Sequence, residues 1–169
     1  MWGTFQGCTL LESIDLSNFD TEQVTDMSST FLDCSSLQSL DLSSFNTTNL
    51  QSIWRMFYGC NSLKNLEIPN FKVDKITDFG ALFYNCKSLE SLDLSSFRTD
   101  SAITMWHMFE GCSSLKNLDI SNFNTESVVD MESMFNGCNF LESLNLSNFN
   151  TEKVEFMNSM FYNCYSLSK

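Results

Sequence analysis

Seven cysteines pose the first chemical question. They stand at Cys8, Cys34, Cys60, Cys86, Cys112, Cys138 and Cys164, each 26 residues after the last. Thiolates can ligate zinc, but zinc sites want clustered spacings such as C-x2-C, and this spacing supplies none. Stacked as adjacent strands, neighbouring cysteines would lie about 4.8 Å apart, which disulfide geometry does not strictly forbid. An invariant leucine follows three residues after each cysteine, inside an apolar pattern. Free cysteine packs well as a small hydrophobe, so the favoured reading is a reduced, buried structural core column with no metal. Such thiols leave the redox compartment open.

The second candidate is a row of carboxylates. Counting each cysteine as position zero, position seven reads Asp15, Asp41, Glu67, Asp93, Asp119 and then Asn145. It lies between two apolar positions of an alternating segment, so it points outward. Like charges in a row at that spacing repel by about 0.9 kcal/mol per neighbour in water, less with salt. Hydrogen bonds from the flanking serines or a bound cation could offset this. Calcium wants six to eight oxygens, more than neighbouring carboxylates and hydroxyls would supply. The row is therefore mainly structural or solvating, with ligand contact on an open face as the functional alternative. A second acidic column at position fourteen (Glu22, Asp74, Asp100, Glu126, Glu152) reads as a solvated edge.

Trp2, Trp54 and Trp106 recur every second copy at position twenty. Spaced, half-exposed aromatics can stack on sugars or anchor a protein. Packing against neighbouring turns is the plainer reading, because exposed tryptophan is uncommon. His107 is the sole histidine and has no partner pattern. No nucleophile–base pair, metal spacing or phosphate loop appears, so catalysis is not expected and no cofactor is implied. A threonine column (Thr21, Thr47, Thr99, Thr125, Thr151) is interrupted by Val73 and reads as side-chain-to-backbone turn bonding. Sequons at Asn46 and Asn145 matter only in a glycosylating cell.

What must position these residues is a repeat. A fixed period of 20–50 residues signals a solenoid or array, and it outranks local readings. Position three is leucine in all seven copies, while positions six and eight are Leu or Ile. The period of two at the end of L-x-x-L-x-L predicts a strand, and stacked copies predict one long parallel sheet. Position eleven is always Phe, set among turn-forming residues where the chain should leave the sheet. Apolar residues at nineteen, twenty-two and twenty-three fit a single helical turn, which Gly59, Gly111, Gly137, Asn85 or Asn163 would stop.

Residues 1–169 thus form a single solenoid of about six and a half repeats, and both ends fall inside a repeat. Solenoids need capped ends, so the chain reads as a fragment of a longer protein. The net charge of −12, with nine Lys and Arg, argues against nucleic acid and anionic membrane surfaces. No apolar run nears the roughly 18 residues a membrane span needs.

The fuller pattern LxxLDLSxFxTxxVxxMxxMFxGC resembles the BspA-like leucine-rich repeats of bacterial surface proteins, in the 26-residue subclass. Leu89–Phe97 and Met134–Cys138 carry the resemblance best, and it covers the whole chain. Pro69, Val73 and Gly80 depart from it. It implies a leucine-rich-repeat solenoid with a parallel sheet on one face and short extended segments plus single helical turns on the other. It also implies a non-catalytic protein- or glycan-binding (adhesion) module at a cell surface or in the extracellular space. A structural spacer or self-associating filament segment is the alternative.

Overall fold

A computed structural model describes all 169 residues. The chain winds as a solenoid whose coils repeat in register. Its regular strands are short: β1 (Ser39–Asp41), β2 (Asn65–Glu67), β3 (Ser91–Leu92) and β4 (Asn117–Leu118). β1 pairs parallel with β2, Leu40 opposite Leu66, and β3 with β4, Leu92 opposite Leu118. Each partner lies one repeat on, so the alternating pattern sets the pairing: leucine inward, its two neighbours exposed.

The parallel sheet comes in two pieces, where the sequence predicts one. The ladder lapses between β2 and β3, at the repeat in which Pro69 stands where other copies carry serine. A second parallel column runs at position eighteen, with bridges Asp26 to Ser52, Asp78 to Thr104, Thr104 to Asp130, and Asp130 to Phe156.

The single helical turns expected at positions nineteen to twenty-three are absent; the chain there is a run of β-turns. Thr30, Leu32 and Cys34 donate to carbonyls three residues back, at 3.0–3.2 Å. The alternate amides of Met27, Ser29, Phe31 and Asp33 instead donate to the next repeat, at 2.7–2.9 Å. Such alternation ties repeat to repeat, which a helix cannot do because it spends its amides on itself. Apolar spacing alone does not distinguish the two. The turns require left-handed backbone at position twenty-five, where Gly59, Gly111 and Gly137 or Asp33, Asn85 and Asn163 stand. They also require it at position twenty-one, where Ser29, Arg55, Ala81, His107, Ser133 and Ser159 adopt φ of 52–57° without glycine.

Inside, 42 buried residues form one contiguous core rather than separate clusters per coil. Its axis is a phenylalanine ladder at position twenty-three. Phe5, Phe31, Phe57, Phe83, Phe109, Phe135 and Phe161 stack ring on ring, with centroids 5.4–5.9 Å apart and planes within 11°. Each stacked pair adds roughly 0.5–1.5 kcal/mol beyond its buried area. No helix of the chain is long and apolar enough to cross a membrane.

Candidate binding surfaces

Three exposed columns make the sheet face. Position four varies in sign along Lys64, Glu90, Lys116 and Glu142; position five is Ser or Asn; position seven carries the acidic row. Asp15, Asp41, Glu67, Asp93, Asp119 and Asn145 are all exposed. One oxygen of each Asp, and of Asn145, accepts the backbone N–H of the serine two residues on, at 2.8–3.0 Å. Each therefore closes an Asx-turn that bends the chain off the sheet.

Those contacts also act on the charge of the row. The Ser43 hydroxyl and amide hold Asp41 below its ordinary range, and the Ser17 amide and hydroxyl do so for Asp15. Asp93 and Asp119 are lowered in the same way by Ser95 and Ser121; repulsion from Asp119 is the least of the influences on Asp93. At these four aspartates the hydrogen bonds favour the ionised form and so work against the repulsion along the row. Glu67 makes no such turn. Its partner would be Pro69, which has no N–H, so the one glutamate in the row coincides with the one proline.

The cysteines divide by place. Cys34, Cys60, Cys86, Cys112 and Cys138 have no solvent exposure, Cys164 is half-buried and Cys8 is exposed. They are more than apolar plugs. From Cys34 onward each Sγ lies 3.0–3.2 Å from the carbonyl oxygen of the ladder phenylalanine one repeat earlier, Phe5 through Phe135. The same carbonyl accepts its own repeat's cysteine amide. Burial pushes the Cys34 thiol up to about 11 and Cys112 to about 12. Nowhere do three or more His, Cys, Asp or Glu side chains converge as metal ligands would.

On the turn face the tryptophans stand in two different situations. Trp2 is 66% exposed, whereas Trp54 and Trp106 are half-buried. The Arg55 guanidinium lies 4.3 Å from the Trp54 ring centre, 5.4 Å from Tyr58 and 5.8 Å from Trp106. Its Nε is shielded and has no hydrogen-bond partner, so cation–π attraction holds it. Tyr58 stacks on Tyr84 at 4.5 Å, and His107 meets both Trp106 and Tyr84 edge-on while bonding Glu110. Two of the tryptophans are thus packed into a cluster that the repeat pattern did not reveal, because positions twenty-one and twenty-four, which supply Arg55, Tyr58 and Tyr84, change residue type from copy to copy.

The threonine column also works across repeats, not within a turn. Thr21, Thr99 and Thr125 each donate to the position-twelve carbonyl of the next repeat and accept its N–H, at 2.7–3.2 Å.

Comparison with solved structures places the architecture. A leucine-rich-repeat protein of Treponema pallidum superposes with a TM-score of 0.50 at 24% identity, over 86% of this chain and 72% of its own. A leucine-rich cell surface protein of Faecalibacterium prausnitzii superposes with a TM-score of 0.57 at 21% identity, over 87% of this chain. The chain spans only 36% of that protein's length. No curated protein matches the sequence significantly. These neighbours have the leucine-rich-repeat fold, and the BspA-like pattern of the coils agrees with them. The DUF285 family, described as Mycoplasma protein of unknown function, matches residues 1–92 and 77–169, and the chain belongs to it.

Proposed function

We propose that this chain is a non-catalytic binding module, displayed at a cell surface or secreted, that takes a protein or glycan partner on its sheet face. The observation that carries this reading is the position-seven row. Each Asp commits one oxygen to its turn, so the carboxylate is fixed in direction while the second oxygen stays exposed. A rigid row of ionised, pre-oriented acceptors costs little to order on binding. It suits a basic protein surface or the hydroxyls of a glycan. The described setting of the Faecalibacterium neighbour, a cell surface, supports the location.

The chain itself suggests the test. Asn145 occupies the row and closes the same turn onto Ser147 at 3.0 Å. Asp41→Asn, Asp93→Asn and Asp119→Asn together should therefore keep every turn while removing three charges. Wild type and triple variant are assayed on arrays of glycans and of purified surface proteins. Capture by the wild type and its loss in the variant, with an unchanged far-ultraviolet spectrum, is the expected result. Equal capture by both would move the site off the sheet.

A further inference from the structure

The ridge that follows the Phe column departs from its own rules in two consecutive repeats. Elsewhere position twelve is Asp20, Asn46, Asn124 or Asn150, and its side-chain oxygen accepts the amide two residues on, at 2.9–3.1 Å. Lys72 and Arg98 hold that position in the other two repeats, and neither side chain can accept a hydrogen bond. The amides of Asp74 and Asp100 consequently donate to nothing within the chain. Val73 compounds the change. Thr47 and Thr99 take the Lys72 and Asn124 amides at 2.7 and 2.8 Å, but Val73 has no hydroxyl for the Arg98 amide.

Two unpaired backbone donors, the Asp74 and Asp100 amides, thus stand beside three cationic side chains, while the third, the Arg98 amide, faces the buried Val73 side chain. Between them lies a cleft of about 430 Å³ lined by Lys72, Lys75 and Arg98, with the hydroxyl-bearing Thr48 and Ser96. A third of the chain's nine Lys and Arg meet here, on a molecule of net charge −12. Asp74 and Asp100 also line the cleft. Asp100 is engaged, 3.7 Å from Arg98 Nε and accepting from Asn124 Nδ2 at 3.2 Å. Lys75 is positioned by its bond to the Thr48 carbonyl at 3.0 Å.

We propose that this cleft is a binding site for an oxyanion, a sulfate or carboxylate group, held by the side chains of Lys72, Lys75 and Arg98 and the amides of Asp74 and Asp100. Backbone amides, ammonium groups and a guanidinium on the residues that line one cleft are the donors such a group requires. The site lies off the sheet face and does not depend on a partner binding there.

The repeat supplies its own control. Lys72→Asn, Val73→Thr and Arg98→Asn install the residues of the regular copies, so the triple variant should fold. Amide spectra of the 15N-labelled chain are followed during titration with sodium sulfate, a sulfated disaccharide and the same disaccharide without sulfate, at matched ionic strength. Sulfate should move the Asp74 and Asp100 resonances saturably, and the variant should need about tenfold more of it. Movement by sulfate alone supports the site with a free anion as its source. Movement by the sulfated sugar at lower concentration supports it with the anion borne on a saccharide. No saturable movement, equal movement by the unsulfated sugar, or an unchanged titration in the variant would each overturn the proposal.

Discussion

The indole of Trp106 rests against Gly80, so closely that a Cβ at Gly80 would stand 2.2 Å from Nε1 and 2.6 Å from Cε2. Gly80 is the equivalent of Trp54 and Trp106 one repeat away, at position twenty, and the small residue makes room for the large one. Its backbone is not left-handed, so the need for glycine is steric alone. The bond from its amide to Asp78, 2.7 Å, fixes the approach.

Gly80→Ala should therefore expel the Trp106 side chain and cost about 1–3 kcal/mol, the range for overpacking. Denaturant melts measure the cost, and a red-shifted tryptophan emission reports the displacement. In a Trp106→Ala background the same substitution should cost much less. A cycle showing simple additivity would mean the indole is not what excludes the Cβ.

The thiols predict a loss of stability in alkali. A folded thiol with a raised pKa holds its proton where the unfolded thiol has lost it, so above the unfolded value the native state binds more protons. Stability then falls as pH rises. The contribution is complete below the ordinary value of 9.0 and disappears as pH climbs toward about 11 for Cys34 and about 12 for Cys112. Melting curves should be flat from pH 7 to 8.5 and fall steeply above it. In the native protein at pH 8 a thiol reagent should label Cys8 quickly, Cys164 more slowly and the five buried cysteines only on unfolding. Rapid labelling of Cys86 would contradict its burial.

The Asx-turns predict which replacements of the acidic row matter. Asp41→Asn keeps the acceptor for Ser43 and should lower the melting temperature only by what the carboxylate's charge adds to that bond, whereas Asp41→Ala removes the acceptor and should lower it further. The lowered carboxyls add a weak dependence on acid. Their stabilisation is present above the ordinary value of 3.8 and is lost as pH falls through the depressed folded values. In Asp41→Asn the acid-side decline should be shallower than in the wild type. An identical acid limb in both would count against the turn as its origin.

The period of 26 residues made most of this fold readable, because every copy places leucine at the same point of the coil and stacking follows. Strand register and the inward Phe ladder come from that alone. The β-turns at positions nineteen to twenty-three were hidden, since Met105, Met108 and Phe109 show the apolar spacing that a helical turn would show. What distinguishes them is the destination of alternate amides in the next repeat, a property of stacking rather than composition. Likewise the oxyanion cleft lies where Lys72, Val73 and Arg98 break the columns. Their meaning depends on which backbone donors the regular residues would have occupied.

Thr99 links two coils through both groups of one peptide residue, donating to the Asn124 carbonyl at 2.9 Å and accepting its amide at 2.8 Å. Thr99→Val conserves shape and removes both bonds at a buried position. It should cost about 1–2 kcal/mol, measured by urea denaturation with an unchanged m value. A cost near zero would mean that water satisfies Asn124 as well as the hydroxyl does.

Glu67 and Pro69 form a matched pair of exceptions, and their coupling can be measured. Aspartate at position 67 has no amide to bond while Pro69 is present, so Glu67→Asp alone should change little. Pro69→Ser alone restores the amide but releases the chain from a fixed φ, which favours the unfolded state by about 0.4–1 kcal/mol. The glutamate side chain is one methylene longer than the aspartates that close the other turns. Only the double variant rebuilds the turn that Asp41 makes with Ser43. It should be more stable than the sum of the singles by about 0.5–1.5 kcal/mol, the net worth of one hydrogen bond. Rebuilding that turn also tests the break in the sheet. If the proline causes the lapse between β2 and β3, amide exchange at Glu90 should slow in the double variant. Its amide would then donate to the Lys64 carbonyl as Lys116 does to Glu90, at 3.1 Å. Unchanged exchange there, with the coupling present, would separate the turn from the ladder and leave the break to the packing of the two coils.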